Sequence, residues 1–232
     1  MTIIRKYNQT CSVCGQTSQQ PVMTSTSTLD YPDLDLRPAE MKRSSMFAWL
    51  VECPHCGYVA SKLENELEVS SDLLKTDAYL TCDGNDFKSD LSRRFYKHYL
   101  ISKAEKDYGS EFISLLHCAW VCDDSDDELA VEMRKLALQS IDKIETESDA
   151  EKENLEIMKV DLLRRTLQFE KVISEFKDVL MEEKIKNDII TFQIELSMKK
   201  DSECHTVKEV GKKSRILRHT LMSQLIRVSY NR

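Results

Sequence analysis

Two copies of Cys-x-x-Cys-Gly carry the spacing in this sequence that most clearly specifies chemistry: Cys11-Ser12-Val13-Cys14-Gly15 and Cys53-Pro54-His55-Cys56-Gly57. Two thiolates separated by two residues reach one metal ion from a single tight turn, at about 2.3 Å each for zinc. The glycine that follows permits a positive φ, so backbone N–H groups turn toward the sulfurs without a Cβ clash, and Pro54 pre-sets the second turn. Two such knuckles supply four ligands and close a tetrahedron. The expectation is one structural Zn²⁺ held by Cys11, Cys14, Cys53 and Cys56, with no coordination position left for a reacting water. A thioredoxin-like redox motif would need one such pair opening a helix in a βαβ setting. This chain has two pairs, both followed by Gly, and no βαβ pattern around them. His55, inside a knuckle, reads as an exposed residue rather than a fifth ligand.

Other reactive side chains are less organised. Cys118 and Cys122 share a helix face next to His117, but neighbours on a helix point about 100° apart and no second cluster has matching spacing, so small buried cysteines are expected. Cys204-His205 invites a nucleophile–base reading, although adjacent side chains rarely face each other and such pairs are normally assembled from distant segments. Asp33, Asp35 and Arg37 form the most distinctive polar cluster. On an extended segment both Asp would share one face, open to a cation or a partner's basic group; the plainer expectation is that they lock the long loop between the knuckles. No phosphate-binding Gly-rich loop, nucleophile elbow or His-Glu-x-x-His pattern occurs.

The elements around these residues divide the chain. Residues 1–62 read as a zinc ribbon with a long inter-knuckle loop, Met46–Val51 being its buried strand, and residues 63–86 as a linker with a short helix. From 87 to 207 the pattern is helical. Phe87, Leu91, Phe95 and Tyr99 step by four toward an end near Tyr108-Gly109. Ser110 then caps a stripe of Phe112, Leu115, Leu116, Ala119 and Trp120, and Ser125-x-x-Glu128 reads as a capping box for the next helix. Further helices run from about Ala150 to Arg165, from Phe169 to Leu180, and through Ile185, Ile189, Phe192 and Leu196. Thr206-x-x-Glu209 opens a basic C-terminal helix over 208–232, its apolar side carried by Leu217, Leu221, Leu225 and Val228. The fold class is therefore mainly α: a small N-terminal β module followed by antiparallel helical hairpins.

Two of those hairpins are similar to tetratricopeptide repeats, namely Trp120 to Leu138 and the crossing Leu162-Leu163-Arg164-Arg165-Thr166-Leu167-Gln168-Phe169, where Leu167 stands at a position usually held by Gly. Together with the two knuckles and Asp33-Leu34-Asp35-Leu36-Arg37-Pro38, the chain resembles an uncharacterised bacterial family with an N-terminal Cys₄ zinc ribbon and a tetratricopeptide-like helical region. The resemblance implies a bacterial cytoplasmic protein with a metal site and no established activity. In such repeats the first helix of each hairpin lines a groove, which makes Trp120, Arg164 and Arg165 candidate partner-binding residues.

Charge narrows the partners. The 232 residues carry a net charge of −7, which repels phosphate backbones and argues against nucleic acid. The basic segment from Lys208 onward is the exception. The apolar run Met46–Val51 is far too short to cross a bilayer, and the opening MTIIRKYNQT lacks the apolar core of a signal peptide. A cytoplasmic location follows as the expectation, with the eight Cys serving as ligands and core residues rather than disulfides. Three functions are compatible with these features: a non-catalytic scaffold for a protein or peptide partner, favoured here; a metal- or thiol-dependent enzyme; and a nucleic-acid accessory protein.

Overall fold

The computed structural model describes residues 1–211. It is mainly helical, with a small antiparallel β module at the N-terminus and helical hairpins after it. The chain forms two compact units, one of residues 1–29 and 40–140, the other of 30–39 and 141 onward. These edges differ from the ranges 1–62, 63–86, 87–207 and 208–232, because the ribbon shares a core with the first helices and part of the inter-knuckle loop belongs elsewhere. Most of the expected C-terminal helix lies outside the described residues.

In the first unit, β1 (Ile3–Thr10) pairs antiparallel with β2 (Thr17–Ser25), and the much shorter β3 (Val51–Glu52) with β4 (Val59–Ala60). Each hairpin has a Cys knuckle as its turn. The strand expected over Met46–Val51 is instead a 3₁₀ turn, Arg43–Ala48, before β3. Local hydrogen bonds prevail over apolar pattern here: Ser45 Oγ donates to the Lys42 carbonyl at 2.6 Å and accepts from Trp49 Nε1 at 3.1 Å. After α1 (Asp77–Thr81), helices α2 (Asp90–Glu105) and α3 (Tyr108–Asp124) form an antiparallel hairpin, and α4 (Leu129–Ile141) follows.

The caps sit a few residues from their expected places. Helix α2 ends at Glu105, with Lys106 in the left-handed region at φ 60. Asp107, not Ser110, caps α3 by accepting the Ser110 N–H at 3.0 Å. Asp127 accepts from Leu129 N at 3.1 Å at the start of α4, while Ser125 bonds backward to the Val121 carbonyl. In each case a carboxylate nearer the helix start outcompetes the hydroxyl.

Helix α2 binds the segment of the second knuckle directly. Lys97 Nζ meets Glu52 Oε1 at 2.7 Å with both groups largely buried, and Arg94 Nη1 donates to the carbonyls of Phe47 and Leu50. Trp49 stacks edge-on to His117 at 5.0 Å. Leu50, Val51, Val59, Phe95, Leu115 and Leu116 are all buried.

The second unit packs α5 (Asp149–Arg165), α6 (Phe169–Phe176), α7 (Lys184–Met198) and the short α8 (Val207–Gly211) around Ile157, Leu162, Val172, Phe176 and Ile189. Leu180, expected on the α6 stripe, lies beyond that helix and is 90% exposed. At Thr206 the carboxylate half of the box forms: Glu209 Oε1 accepts the Thr206 N–H at 2.8 Å and its hydroxyl at 3.1 Å. Residues 30–39 join this unit through a β-bridge between Asp33 and Thr206, with Leu34 N donating to the His205 carbonyl and Val207 N to that of Pro32. The buried side chain of Leu34 anchors the segment.

Candidate metal centre

The two knuckles are the same structure built twice. In the first, Cys11 N donates to the Gln16 carbonyl at 2.9 Å and Gly15 N to the Cys11 carbonyl at 2.8 Å; in the second, Cys53 N donates to Tyr58 and Gly57 N to Cys53 at 2.8 and 2.9 Å. Gly15 and Gly57 adopt φ of +70 and +76, the conformation that closes each turn and that an L side chain resists. Each knuckle is held from outside. Tyr79, on α1, donates its hydroxyl to the Gly57 carbonyl at 2.7 Å, and Leu63 O accepts the Ser12 N–H at 2.8 Å. Gln9, buried at the end of β1, accepts from Leu63 N.

This scaffold brings Cys11 Sγ to 3.7 Å from Cys56 and Cys14 Sγ to 3.6 Å from Cys53, with all four sulfurs within 4.8 Å of one another. A tetrahedron of thiolates at the zinc distance has edges of ~3.8 Å. The donor set fits a bound metal ion such as zinc and leaves no side for an external ligand. Cys11 and Cys53 are buried, Cys14 and Cys56 half-buried, and His55 is exposed. Burial pushes the Cys11 and Cys56 thiols up, whereas the Gln16 backbone N–H pulls Cys14 down. Four sulfurs so close become thiolates together only if a cation compensates their charge. Among the described residues this is the one group of His, Cys, Asp or Glu side chains with metal-holding geometry.

The remaining candidates are dispersed. Cys118 and Cys122 are fully buried, Cys118 donating to the Ser92 carbonyl at 3.2 Å, and burial raises its thiol well above the usual range. Cys204 and His205 do not form a pair. His205 uses Nδ1 on Glu209 at 2.8 Å and Nε2 on Asp201 at 3.1 Å. The Cys204 residue is exposed in area, but the surrounding protein and the Asp33 and Asp35 carboxylates push its thiol up to about 12, away from a nucleophile's thiolate.

Asp33, Asp35 and Arg37 depart from the extended reading. Leu36 N donates to the Asp33 carbonyl and Asp33 N to that of Arg37, so the segment is a tight turn with Leu36 at φ 65. All three polar residues are buried, and Asp35 lies 3.9 Å from Arg165 Nη1. Within this part of the inter-knuckle loop Arg37 N donates to Asp35 Oδ1 at 3.2 Å, and the segment belongs to the second unit.

Trp120 and Arg164 also require correction as binding residues. Trp120 is 3% exposed and packs against His117. Arg164 is 0% exposed, its guanidinium donating to Gln193, Asp161 and the carbonyls of Asp201 and Glu203. Neither offers a surface to a partner, and Arg165 is largely covered. Sequence reasoning missed the buried Lys97–Glu52 pair behind the second knuckle, which no local pattern announces because its members lie 45 residues apart. Among the described residues no helix is long and apolar enough to cross a membrane. Comparison with protein-family models, with curated proteins and with solved structures finds no match.

Proposed function

We propose that this chain is a non-catalytic, zinc-binding interaction protein that acts in the cytoplasm and presents a protein or peptide surface on a metal-fixed ribbon. The observation that carries the reading is the closed set of four sulfurs, built by two matching knuckles at tetrahedral spacing. A closed Cys₄ site stabilises structure and leaves no position for substrate. Zinc is the favoured metal because four thiolates in a tetrahedron suit its soft, geometry-indifferent d¹⁰ shell. Free cysteines in the rest of the chain suit a reducing compartment.

The resemblance to the bacterial ribbon-plus-repeat family supports the same role. At the α5–α6 crossing, where Leu167 departs from the Gly usual in a tetratricopeptide repeat, Leu167 takes φ 64, a conformation Gly adopts at less cost than Leu. The test is metal analysis of chain purified without chelator. One zinc per chain is expected, falling to near zero in Cys53→Ser; metal-free protein with full tertiary structure would sink the reading, and so would turnover of a substrate by the pure protein.

A further inference from the structure

The β1–β2 hairpin has one protected edge and one open edge. Cys11 N donates to Gln16 O, and with the register Thr10↔Thr17 through Ile4↔Met23 this makes Cys11, Gln9, Tyr7 and Arg5 the residues that bond inward to β2. On β2, Pro21 then occupies an outward position, opposite Lys6, where its missing N–H takes nothing from the ladder and removes a donor from the outer edge. That edge also lies beside the 3₁₀ turn, with Ser45 Oγ on Met23 Sδ at 3.2 Å. Among the described residues of this unit no strand covers the β1 edge from Ile4 to Asn8, and Lys62 and Glu64 lie at its Asn8 end. The backbone groups of Ile4, Lys6 and Asn8 point outward, residues Arg5 to Asn8 are exposed, and within this unit the described residues pair β1 with β2 alone.

The chemistry of the edge selects its occupant. Up to Leu29, Arg5 and Lys6 are the only charged side chains, both positive. They project to opposite faces of the sheet, Arg5 beside the 44% exposed ring of Tyr7, Lys6 beside Asn8. On the Tyr7 face lies a shallow cavity of about 590 Å³, lined among others by Tyr7, Gln9, Val22, Lys62 and Glu64. A second copy pairing antiparallel in the register centred on Lys6, the one that uses Ile4, Lys6 and Asn8 together, would set Lys6 against its own copy, which like-charge repulsion disfavours.

We propose that the free edge of β1 adds an extended, acidic segment of a partner protein as a third strand, with backbone hydrogen bonds to Ile4, Lys6 and Asn8 and carboxylates on Arg5 and Lys6. The inference rests on the reading of the chain as an interaction protein and names the surface used.

The test pans a displayed library of random octapeptides against the zinc-loaded full chain. Recovered peptides are expected to be rich in Asp and Glu and to bind Asn8→Pro at least about tenfold more weakly, since that change removes one outward donor, spares the β2 ladder and keeps both cations. Far-UV circular dichroism and zinc content check that the variant is folded. If it is not, a selected peptide N-methylated at alternate residues probes the unaltered protein: one methylation frame abolishes binding and the other leaves it intact. Peptides without acidic residues, equal binding to Asn8→Pro, equal binding in both frames, or tighter binding of a single-stranded oligonucleotide that displaces the peptide would overturn the proposal. A partner taken from host lysate by wild type and Asn8→Pro alike would overturn this surface while leaving an interaction role standing.

Discussion

Arg164 shows what a single residue's environment does to its role. Its charge pairs with Asp161 at 2.8 Å, and its remaining N–H groups reach Gln193 and two backbone carbonyls around residues 201–203. Removing one partner of such a buried set leaves an uncompensated carboxylate and orphaned carbonyls, a cost of about 3–5 kcal/mol. Arg164→Ala should therefore lower the denaturant midpoint sharply while zinc content is unchanged. A midpoint equal to wild type would show that the guanidinium contributes nothing to the second unit. The sequence Leu162-Leu163-Arg164-Arg165 announces a helix with two cations and is silent on burial, because apart from Asp161 the groups that satisfy Arg164 come from 29 to 39 residues further along. The four cysteines are the opposite case. Their chemistry, spacing and following glycines are all local, so the gathering of four sulfurs within reach of one ion was legible in the sequence.

At the scale of elements, helices were legible and several of their ends were not, α5 being an exception. A stripe at i, i+3, i+4 is redundant over several turns, whereas a cap is one side chain, and Asp107 and Asp127 displaced the hydroxyls of Ser110 and Ser125 from that role. The inter-knuckle strand failed because Ser45 and Trp49 satisfy each other locally. The α5–α6 turn places Leu167, 62% exposed, at φ 64. A left-handed non-Gly residue costs roughly 1–2 kcal/mol, part of which Gly returns in unfolded-chain entropy. Since little apolar contact is lost, Leu167→Gly should stabilise the protein by up to about 1 kcal/mol and raise the thermal midpoint by a few degrees. A lower midpoint would mean that the Leu167 side chain holds the turn together.

At the scale of the molecule, the chain divides into two compact units, and the four clustered cysteines belong to the first. Because Lys97 and Arg94 tie α2 to the ribbon, stripping the metal with a chelator should expose the amides of α2 and α3 to hydrogen exchange along with β1–β4. Helices α5 and α7 should keep their protection. Unchanged protection in α2 and α3 would show that the hairpin stands without the metal. The same division sets an order of events during synthesis. The segment 30–39 lies between the two knuckles, and its bridge partner, Thr206, is made more than 170 residues after Asp33. At roughly 5–20 residues per second the buried surface of Leu34 waits on the order of ten seconds or more without its neighbours. Cys56, the last of the four clustered cysteines, is made long before that, so the sulfurs can gather while the apolar side chain of Leu34 still lacks the surface that will bury it.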